Sequence, residues 1–263
     1  MKVKEIMNKK LVFIDVDRNL RDAMKLMERK KISRLLVKDG KKIVGIITER
    51  DISERLGSWK ERRISDSHIH VSSACTYDLI KIDLNEEVNV AAKTMLEKRI
   101  SSLVVSDGEE MVGILTKSDL IKVLKNSKIP VEKYMNKTVF SLPLNSSLLQ
   151  TRKLMMEKGI KRVLIVHEGV VVGIVTERDI AKALGMFRKV VEGKNLDEKM
   201  KKISVDTIMS KDVFYVSPKH TLGEVVKIMT ENKISGLPVI EEGKVLGIIT
   251  KTDLIRAISN LKG

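Results

Sequence analysis

The sequence is poor in the residues on which several classes of site depend. Its 263 residues include one cysteine, Cys75, one glutamine, Gln150, and only 3% aromatic residues. A single cysteine excludes an intramolecular disulfide and a zinc site with two or more thiolates, and it fits a reducing compartment. Few aromatics argue against a surface on which nucleic-acid bases stack. Little glutamine beside 32% charged residues is typical of proteins from hot habitats, so we expect a thermophile source.

Long apolar runs and catalytic motifs are also missing. No run approaches the roughly 18 apolar residues of a membrane span, and the N-terminus, MKVKEIMNKK, resembles neither a signal peptide nor a transit peptide. We therefore expect a cytoplasmic protein without a membrane partner. No nucleophile elbow, Walker loop or His-Glu-x-x-His motif occurs, so we predict no enzyme. His68 and His70 lack an accompanying carboxylate or cysteine cluster, so we predict no metal site.

Positive charge is what the sequence has in excess. It contains 50 Lys and Arg against 35 Asp and Glu, which gives a formal net charge of +15. Such a charge favours anionic partners such as nucleotides, nucleic acid or acidic protein surfaces, without choosing among them. The 43% of hydrophobic residues is sufficient for packed cores.

One unit occurs four times along the chain. Its signature is Gly-h-h-Thr-x-x-Asp, in which h is apolar, and it occurs at Gly45–Asp51, Gly113–Asp119, Gly173–Asp179 and Gly247–Asp253. The same offsets align Met7 with Met135 and Met209, but the second copy has Cys75 there. We therefore interpret the free cysteine as a small buried apolar residue in place of methionine. A repeated unit is the first feature that a fold prediction must explain.

Each copy has the pattern of a β-α-β-β-α unit. In the first copy the predicted strand, helix and two further strands are Leu11–Ile14, Asn19–Arg29, Ser33–Val37 and Lys42–Ile47. Asp39 and Gly40 favour a tight hairpin between the last two strands. Thr48 is placed as the N-cap of a second helix that extends through Leu56.

The copies are expected to pack in pairs, because so small a unit cannot bury both its helices and its sheet. We predict repeats at 1–57, 69–125, 129–185 and 203–260. Repeats 1 and 3 share Thr-Glu-Arg-Asp, whereas repeats 2 and 4 have Thr-Lys-Ser/Thr-Asp, as duplication of an ancestral pair would leave. This alternation predicts modules at 1–125 and 129–260, with 185–202 as a charged linker inside the second.

The unit that ends in this motif resembles the CBS domain, named after cystathionine β-synthase. Four copies over nearly the whole chain resemble two Bateman modules in tandem, as in the γ subunit of AMP-activated protein kinase and in stand-alone archaeal CBS proteins. The resemblance implies an α+β fold of four β-α-β-β-α repeats, paired as two modules in a flat disk. It also implies adenosine-type ligands in clefts between the paired domains.

The resemblance assigns four aspartates to ribose, since a carboxylate can accept hydrogen bonds from both ribose hydroxyls. They are Asp51, Asp119, Asp179 and Asp253. Hydroxyls beside them are assigned to ribose or phosphate, namely Thr48, Thr116, Thr176, Thr250, Ser118 and Thr252. Thr-x-x-Asp is also an ordinary helix cap, and capping alone would explain its recurrence.

Phosphate and adenine contacts are also implied by the resemblance. The phosphate candidates are Arg34, Lys161, Arg162, Arg50 and Arg178, because a guanidinium can bind phosphate through two hydrogen bonds. Repeats 2 and 4 have Ser102 and Gly236 at the position of Arg34, so the four sites should not be equivalent. A solvated basic strand edge is the alternative. The adenine candidates, with plain core as their alternative, are Val12, Phe13, Val139, Phe140, Val213 and Phe214.

Two functions follow from these patterns. The first is a non-catalytic sensor, without a catalytic cofactor, that binds AMP, ADP, ATP or S-adenosylmethionine and signals to a separate effector protein. A homodimer is a family expectation. The second is a basic nucleic-acid-binding regulator or a protein-interaction scaffold. Its best local candidate is the stretch 188–202, which contains six cations and three acids.

Overall fold

A computed structural model describes residues 1–56, 68–190 and 202–261, and it contains four copies of the predicted α+β unit. Repeat 1 comprises β1 (Phe13–Asp15), α1 (Leu20–Lys30), β2 (Arg34–Asp39), β3 (Lys42–Thr48) and α2 (Glu49–Leu56). Repeat 2 comprises β4 (Lys81–Asp83), α3 (Val88–Glu97), β5 (Ser102–Asp107), β6 (Glu110–Thr116) and α4 (Lys117–Leu120).

The second half has longer final helices, and its last repeat lacks the first strand. Repeat 3 comprises β7 (Ser141–Pro143), α5 (Leu148–Lys158), β8 (Arg162–His167), β9 (Val170–Thr176) and α6 (Glu177–Val190). Repeat 4 comprises α7 (Leu222–Glu231), β10 (Gly236–Glu241), β11 (Lys244–Thr250) and α8 (Lys251–Ser259). Helix α6 continues into the predicted linker as far as Val190, and most of 188–202 lies outside the described residues.

Local signals in repeat 1 place its elements close to where the sequence predicts them. The Asn19 side chain accepts a hydrogen bond from the Asp22 backbone N–H at 2.8 Å, which caps α1. Gly40 has φ of +56° in the turn between β2 and β3, a conformation that glycine adopts without steric cost. Strand β2 lies between β1, to which it is parallel, and β3, to which it is antiparallel.

Repeat 4 lacks a regular first strand because its second strand contains Pro238. In the other repeats the first strand is held by a backbone N–H of the second, as when Leu36 donates to the Val12 carbonyl at 3.0 Å. Pro238 occupies the position of Leu36 in repeat 4 and has no N–H to donate. Only an isolated parallel bridge between Val216 and Val239 remains. The two-stranded sheet of repeat 4 follows directly from this substitution.

The chain forms two compact units, each of which contains alternate repeats. The 1+3 unit consists of Val12–Leu79 and Phe140–Val213, and the 2+4 unit consists of Met1–Leu11, Ile80–Val139 and Phe214–Gly263. In the 2+4 unit one apolar core includes buried residues of both repeats, such as Met95 and Ile255. In the 1+3 unit the described residues form separate apolar clusters, one around Leu35 and one around Val163.

The first residues of each repeat pack against the sheet of its neighbour in the chain. In the 1+3 unit Thr76, from repeat 2, forms an antiparallel bridge with Ile46, and the preceding Cys75 lies against Gly45. The corresponding bridges in the chain join Asn8 to Ile114, Asn136 to Ile248 and Ser210 to Ile174. This exchange links repeat 1 to repeat 2 and repeat 3 to repeat 4. The module boundaries at 1–125 and 129–260 stay a prediction.

The position of Cys75 agrees with its interpretation as a replacement for methionine. Met7, Met135 and Met209 occupy the same place against Gly113, Gly247 and Gly173. Cys75 is half-buried, and burial raises the pKa of its thiol. A protonated thiol acts as a small apolar group rather than as a nucleophile.

We predict that Gly45→Ala destabilises the 1+3 unit. The added Cβ would lie 2.7 Å from the Thr76 carbonyl oxygen, which Ile46 holds by a hydrogen bond of 2.9 Å from its backbone N–H. Relief of such a clash requires backbone movement, at about 1–3 kcal/mol of unfolding free energy. Gly173→Ala is the matched control, because there the three atoms nearest to the added Cβ all belong to the flexible side chain of Met209. Urea denaturation measures both, and equal losses would contradict the prediction.

Candidate functional site

The threonine and the aspartate of the motif cap each other in every repeat. The threonine hydroxyl donates to the aspartate Oδ2 at 2.6 to 2.7 Å, and the threonine backbone N–H donates to the same oxygen at 2.7 to 3.0 Å. The capping interpretation of Thr-x-x-Asp is therefore confirmed. It leaves Oδ1 of each carboxylate outside the capping interaction, so capping and ligand binding are compatible at one residue.

The second carboxylate oxygen has different surroundings in the two units. In the 2+4 unit Lys122 Nζ lies 3.4 Å from Asp119 Oδ1, and Arg256 Nη1 lies 3.3 Å from the Oδ1 of the buried Asp253. In the 1+3 unit neither Asp51 nor Asp179 forms an ion pair with any described residue, and both are half-buried. Burial raises the pKa of Asp51, although its hydrogen bonds from Thr48 oppose the shift. Oδ1 of Asp51 and Asp179 is therefore more available to accept a hydrogen bond from a ligand than Oδ1 of the 2+4 aspartates.

Sheet register places the predicted phosphate residues beside the capping threonines. Arg34 is the Cα partner of Thr48, and Arg162 is the Cα partner of Thr176. The carbonyl of Lys161 accepts the backbone N–H of Glu177 at 3.1 Å, which fixes the start of β8 to the start of α6. The corresponding partners of Thr116 and Thr250 in the 2+4 unit are Ser102 and Gly236. The two units thus differ in charge at the same place.

The middle residues of each motif contact the motif of another repeat in the same unit. In the 1+3 unit Arg178 Nη2 lies 3.0 Å from Glu49 Oε1, and Arg50 Nε lies 3.7 Å from Glu177 Oε1. In the 2+4 unit Lys117 Nζ lies 3.1 Å from Thr252 Oγ1, and Lys251 Nζ lies 2.8 Å from Ser118 Oγ. Like motifs therefore face each other, through ion pairs in one unit and through lysine–hydroxyl hydrogen bonds in the other.

This reciprocal contact was missed by the sequence analysis. The alternation of motifs predicts duplication and pairing of repeats along the chain, and the resemblance assigns Arg50 and Arg178 to phosphate, but neither predicts that like motifs contact each other. The complementary charges of Glu and Arg inside one four-residue motif were the available signal, since two such motifs can pair with each other. Ser118 and Thr252, which the resemblance assigns to the ligand, are likewise engaged by lysines in the structure.

Five cations surround two partly buried glutamates in the 1+3 unit, and an exposed third glutamate, Glu54, accepts a hydrogen bond from Arg50 at 2.7 Å. Burial raises the pKa of both Glu49 and Glu177, even though arginine and lysine charges oppose the shift. The Lys161 side chain is exposed as a whole, yet partial desolvation of its ammonium lowers the pKa, and Arg50, Arg162 and Arg34 add to that effect. Cations of repeats 1 and 3 therefore act on one region. We call Arg34, Glu49, Arg50, Lys161, Arg162, Glu177 and Arg178 the charged cluster.

The residues predicted to contact adenine differ in how far they are buried. Val12 packs against the core of repeat 1, which fits its alternative as plain core. Four of the others are half-buried, namely Phe13, Val139, Phe140 and Val213. Phe214 is 45% exposed, at the position where Pro238 weakens the first strand of repeat 4. Burial therefore supports an adenine site in repeats 1 and 3, whose first strand is regular, better than at Phe214 in repeat 4.

A dependence of stability on pH follows from the two glutamates. Because their pKa values are raised in the folded protein, the folded state binds these protons more tightly than the unfolded state. The contribution of these two groups to the free energy of unfolding therefore falls as pH rises from about 4 towards neutrality. The double variant Glu49→Gln/Glu177→Gln lacks this decline. Its unfolding free energy minus that of the wild type should therefore increase with pH. A decrease would mean that the ion pairs stabilise the fold.

No metal cluster or membrane helix is found in the parts of the chain that the structure describes. Within 1–56, 68–190 and 202–261 no three His, Cys, Asp or Glu side chains are grouped to hold a metal ion. His70 Nδ1 lies 2.7 Å from the Asp17 carbonyl oxygen, so this ring nitrogen contacts the backbone of repeat 1. Within the same ranges no helix has the length and apolar character needed to cross a membrane.

The chain belongs to the CBS domain family. The family model matches four segments, residues 3–58, 71–126, 131–185 and 205–260. CBS-domain proteins are generally regulatory and non-catalytic. The resemblance seen in the sequence is thus confirmed for both the family and the fourfold repeat.

Archaeal proteins resemble the chain over nearly its full length. MJ1225 of Methanocaldococcus jannaschii is 28% identical over 270 residues, which cover 95% of each chain. Its crystal structure, described as that of a proposed archaeal homolog of g-AMPK, has a TM-score of 0.85 at 26% identity and covers 98% of this chain and 99% of that one. MJ1404 of the same organism is 30% identical over 99% of this chain and 62% of its own length. An uncharacterized conserved protein from Pyrococcus horikoshii has a TM-score of 0.67 at 26% identity, covering 98% and 100%.

Proposed function

We propose that the protein is a non-catalytic sensor that binds adenosine-type ligands at the Thr-x-x-Asp ends of its CBS repeats and signals to a separate partner protein. The observation that carries this proposal is the arrangement in the 1+3 unit. There Asp51 and Asp179 are held by their capping threonines, and cations of both repeats lie at the adjoining strand starts. An acceptor for a ribose diol beside cations for phosphate is what an adenine nucleotide requires.

Each residue class has a defined role in this proposal. The Oδ1 atoms of Asp51 and Asp179 accept the ribose hydroxyls, while Oδ2 remains with the capping threonine. Arg34, Lys161 and Arg162 bind phosphate. AMP, ADP and ATP are the ligands that this set of groups fits.

The 2+4 unit offers a different set of groups at the equivalent positions. Its strand starts have Ser102 and Gly236, and its ribose candidates Asp119 and Asp253 already have cations near Oδ1. We propose that this unit favours adenosyl ligands without phosphate, such as S-adenosylmethionine, over nucleotides. The similarity to MJ1225 over the full chain supports a sensor rather than an enzyme.

A thermal-unfolding panel tests the proposed function. A ligand that binds only the folded protein raises its stability by about 2.7 kcal/mol at 100 times Kd. We expect ADP and ATP to raise the unfolding temperature, and guanosine triphosphate to raise it less, as a control for charge alone. Equal rises in unfolding temperature with ATP and guanosine triphosphate would show that the protein binds the anion without recognising the base, which would contradict the proposal. A salt-sensitive electrophoretic shift of DNA or RNA, with no nucleotide effect, would favour the nucleic-acid regulator instead.

A further inference from the structure

The contact between α2 and α6 in the 1+3 unit includes two ion pairs, and the described buried residues form no apolar core that repeats 1 and 3 share. Among the described residues the apolar clusters of repeats 1 and 3 are separate, whereas those of repeats 2 and 4 form one core. The ion pairs Glu49–Arg178 and Glu177–Arg50 join the two helices. The two glutamate side chains are 27% and 26% exposed, so solvent reaches them only in part.

Carboxylates lie at the guanidinium groups that a phosphate would use. Glu49 pairs with Arg178 at 3.0 Å, whereas Glu177 lies 3.7 Å from the Arg50 Nε, which also donates a hydrogen bond of 2.7 Å to Glu54 of its own helix. Carboxylate and phosphate bind a guanidinium through the same pattern of hydrogen bonds, so they are alternative partners for one arginine. Arg50 and Arg178 are about half exposed, at 45% and 48%, so an anion from solvent can reach them. Lys161 lies close enough to Glu177 and Arg50 for their charges to alter its pKa. A phosphate chain in the charged cluster therefore meets two carboxylates among five cations, and Glu54 beside Arg50 is a third carboxylate at its edge.

We propose that Glu49 and Glu177 are specificity-determining residues that compete with ligand phosphates for Arg178 and Arg50. The inference rests on the proposed function and deepens it, because it names nucleoside di- and triphosphates as the ligand class of the 1+3 unit. A monophosphate can replace one carboxylate at most, whereas a longer phosphate chain can replace both. Replacement of both carboxylates breaks the ion pairs that join α2 to α6, which converts binding into a change in the contact between repeats 1 and 3.

The test compares ATP and adenosine as probes by isothermal titration. We expect Glu49→Gln/Glu177→Gln to lower the Kd for ATP roughly tenfold, since two negative charges near the phosphates are removed, and to leave the Kd for adenosine within about twofold. Glu157→Gln is the matched control, because Glu157 is an exposed residue of the 1+3 unit that pairs with the exposed Lys153, outside the charged cluster. The charge-preserving variant Glu49→Asp/Glu177→Asp should restore the wild-type ratio of the two Kd values. Circular dichroism checks that each variant is folded.

Each outcome separates this inference from the proposed function. A ratio of ATP to adenosine affinity that rises only in the double glutamine variant supports the competition. A wild type that binds both ligands, with the same ratio in the double glutamine variant and in Glu157→Gln, overturns the inference and leaves the proposed function standing. Equal changes for ATP and adenosine would show a purely structural role and also overturn it. A folded wild type that binds neither ligand overturns both.

Discussion

Asp179→Ala is expected to weaken binding of adenine nucleotides in the 1+3 unit by about 10-fold to 100-fold. The variant removes the carboxylate oxygen that accepts the ribose hydroxyls, and hydrogen bonds to a charged group contribute about 1.5–3 kcal/mol each. Neither Asp51 nor Asp179 forms an ion pair with a described residue, so no neighbouring cation has to be released before ribose binds. Isothermal titration with ADP measures the effect as a change in Kd.

The control for Asp179 must separate its capping function from ligand binding. Asp179→Glu keeps a carboxylate at the third helical position, where glutamate is the usual partner of a capping threonine, so α6 should keep its start. The extra methylene moves the carboxylate away from the position of the aspartate. We expect nearly wild-type unfolding temperature with weakened ADP binding. Wild-type ADP affinity in Asp179→Ala would place the ribose contact elsewhere in the protein.

The second large effect is expected for Lys161→Ala/Arg162→Ala. These residues supply cations at the start of β8, next to Thr176 and Glu177. Their loss should reduce the affinity for ATP about 10-fold to 100-fold while adenosine binds as before, because only the phosphates use them. The dependence of ATP binding on salt should also weaken. Titration with ATP and adenosine at two salt concentrations measures both effects.

A matched variant distinguishes local contacts from net charge. Lys153→Ala/Lys211→Ala removes two cations from exposed positions of the same 1+3 unit, outside the charged cluster. It should leave ATP affinity within about twofold, because exposed charges at a distance are screened. An equal loss of ATP affinity in both double variants would show that overall charge, rather than the start of β8, attracts the ligand.

The fold of each repeat could be predicted from local patterns, because its causes are local. The N-cap at Asn19, the hairpin at Gly40 and the Thr48–Asp51 cap involve residues within a few positions of one another. The two-stranded sheet of repeat 4 was missed, although Pro238 is visible in the sequence. Its effect depends on which backbone N–H holds the first strand, and that hydrogen bond joins residues 24 positions apart, as Leu36 and Val12 show.

The candidate site could be predicted only in part, because a repeat shows what the copies share but not which surfaces meet. The resemblance identified Asp51, Asp179 and the cations, and sheet register brings Arg34 to Thr48. Glu49 and Glu177 were not singled out, since a first-turn glutamate is an ordinary feature of a helix. Their importance arises from the arginine of another repeat, more than 120 positions away in sequence.

The most direct test of the central claim is isothermal titration of the denatured and refolded protein with adenosine, AMP, ADP, ATP and S-adenosylmethionine. We predict saturable binding of the nucleotides, with affinity that rises from adenosine to ATP and is lost in Asp51→Ala/Asp179→Ala. Absence of heat with every ligand, in a protein shown by circular dichroism to be folded, would contradict it. In that case Thr-x-x-Asp is a helix cap alone, and the charged cluster serves only to join repeats 1 and 3.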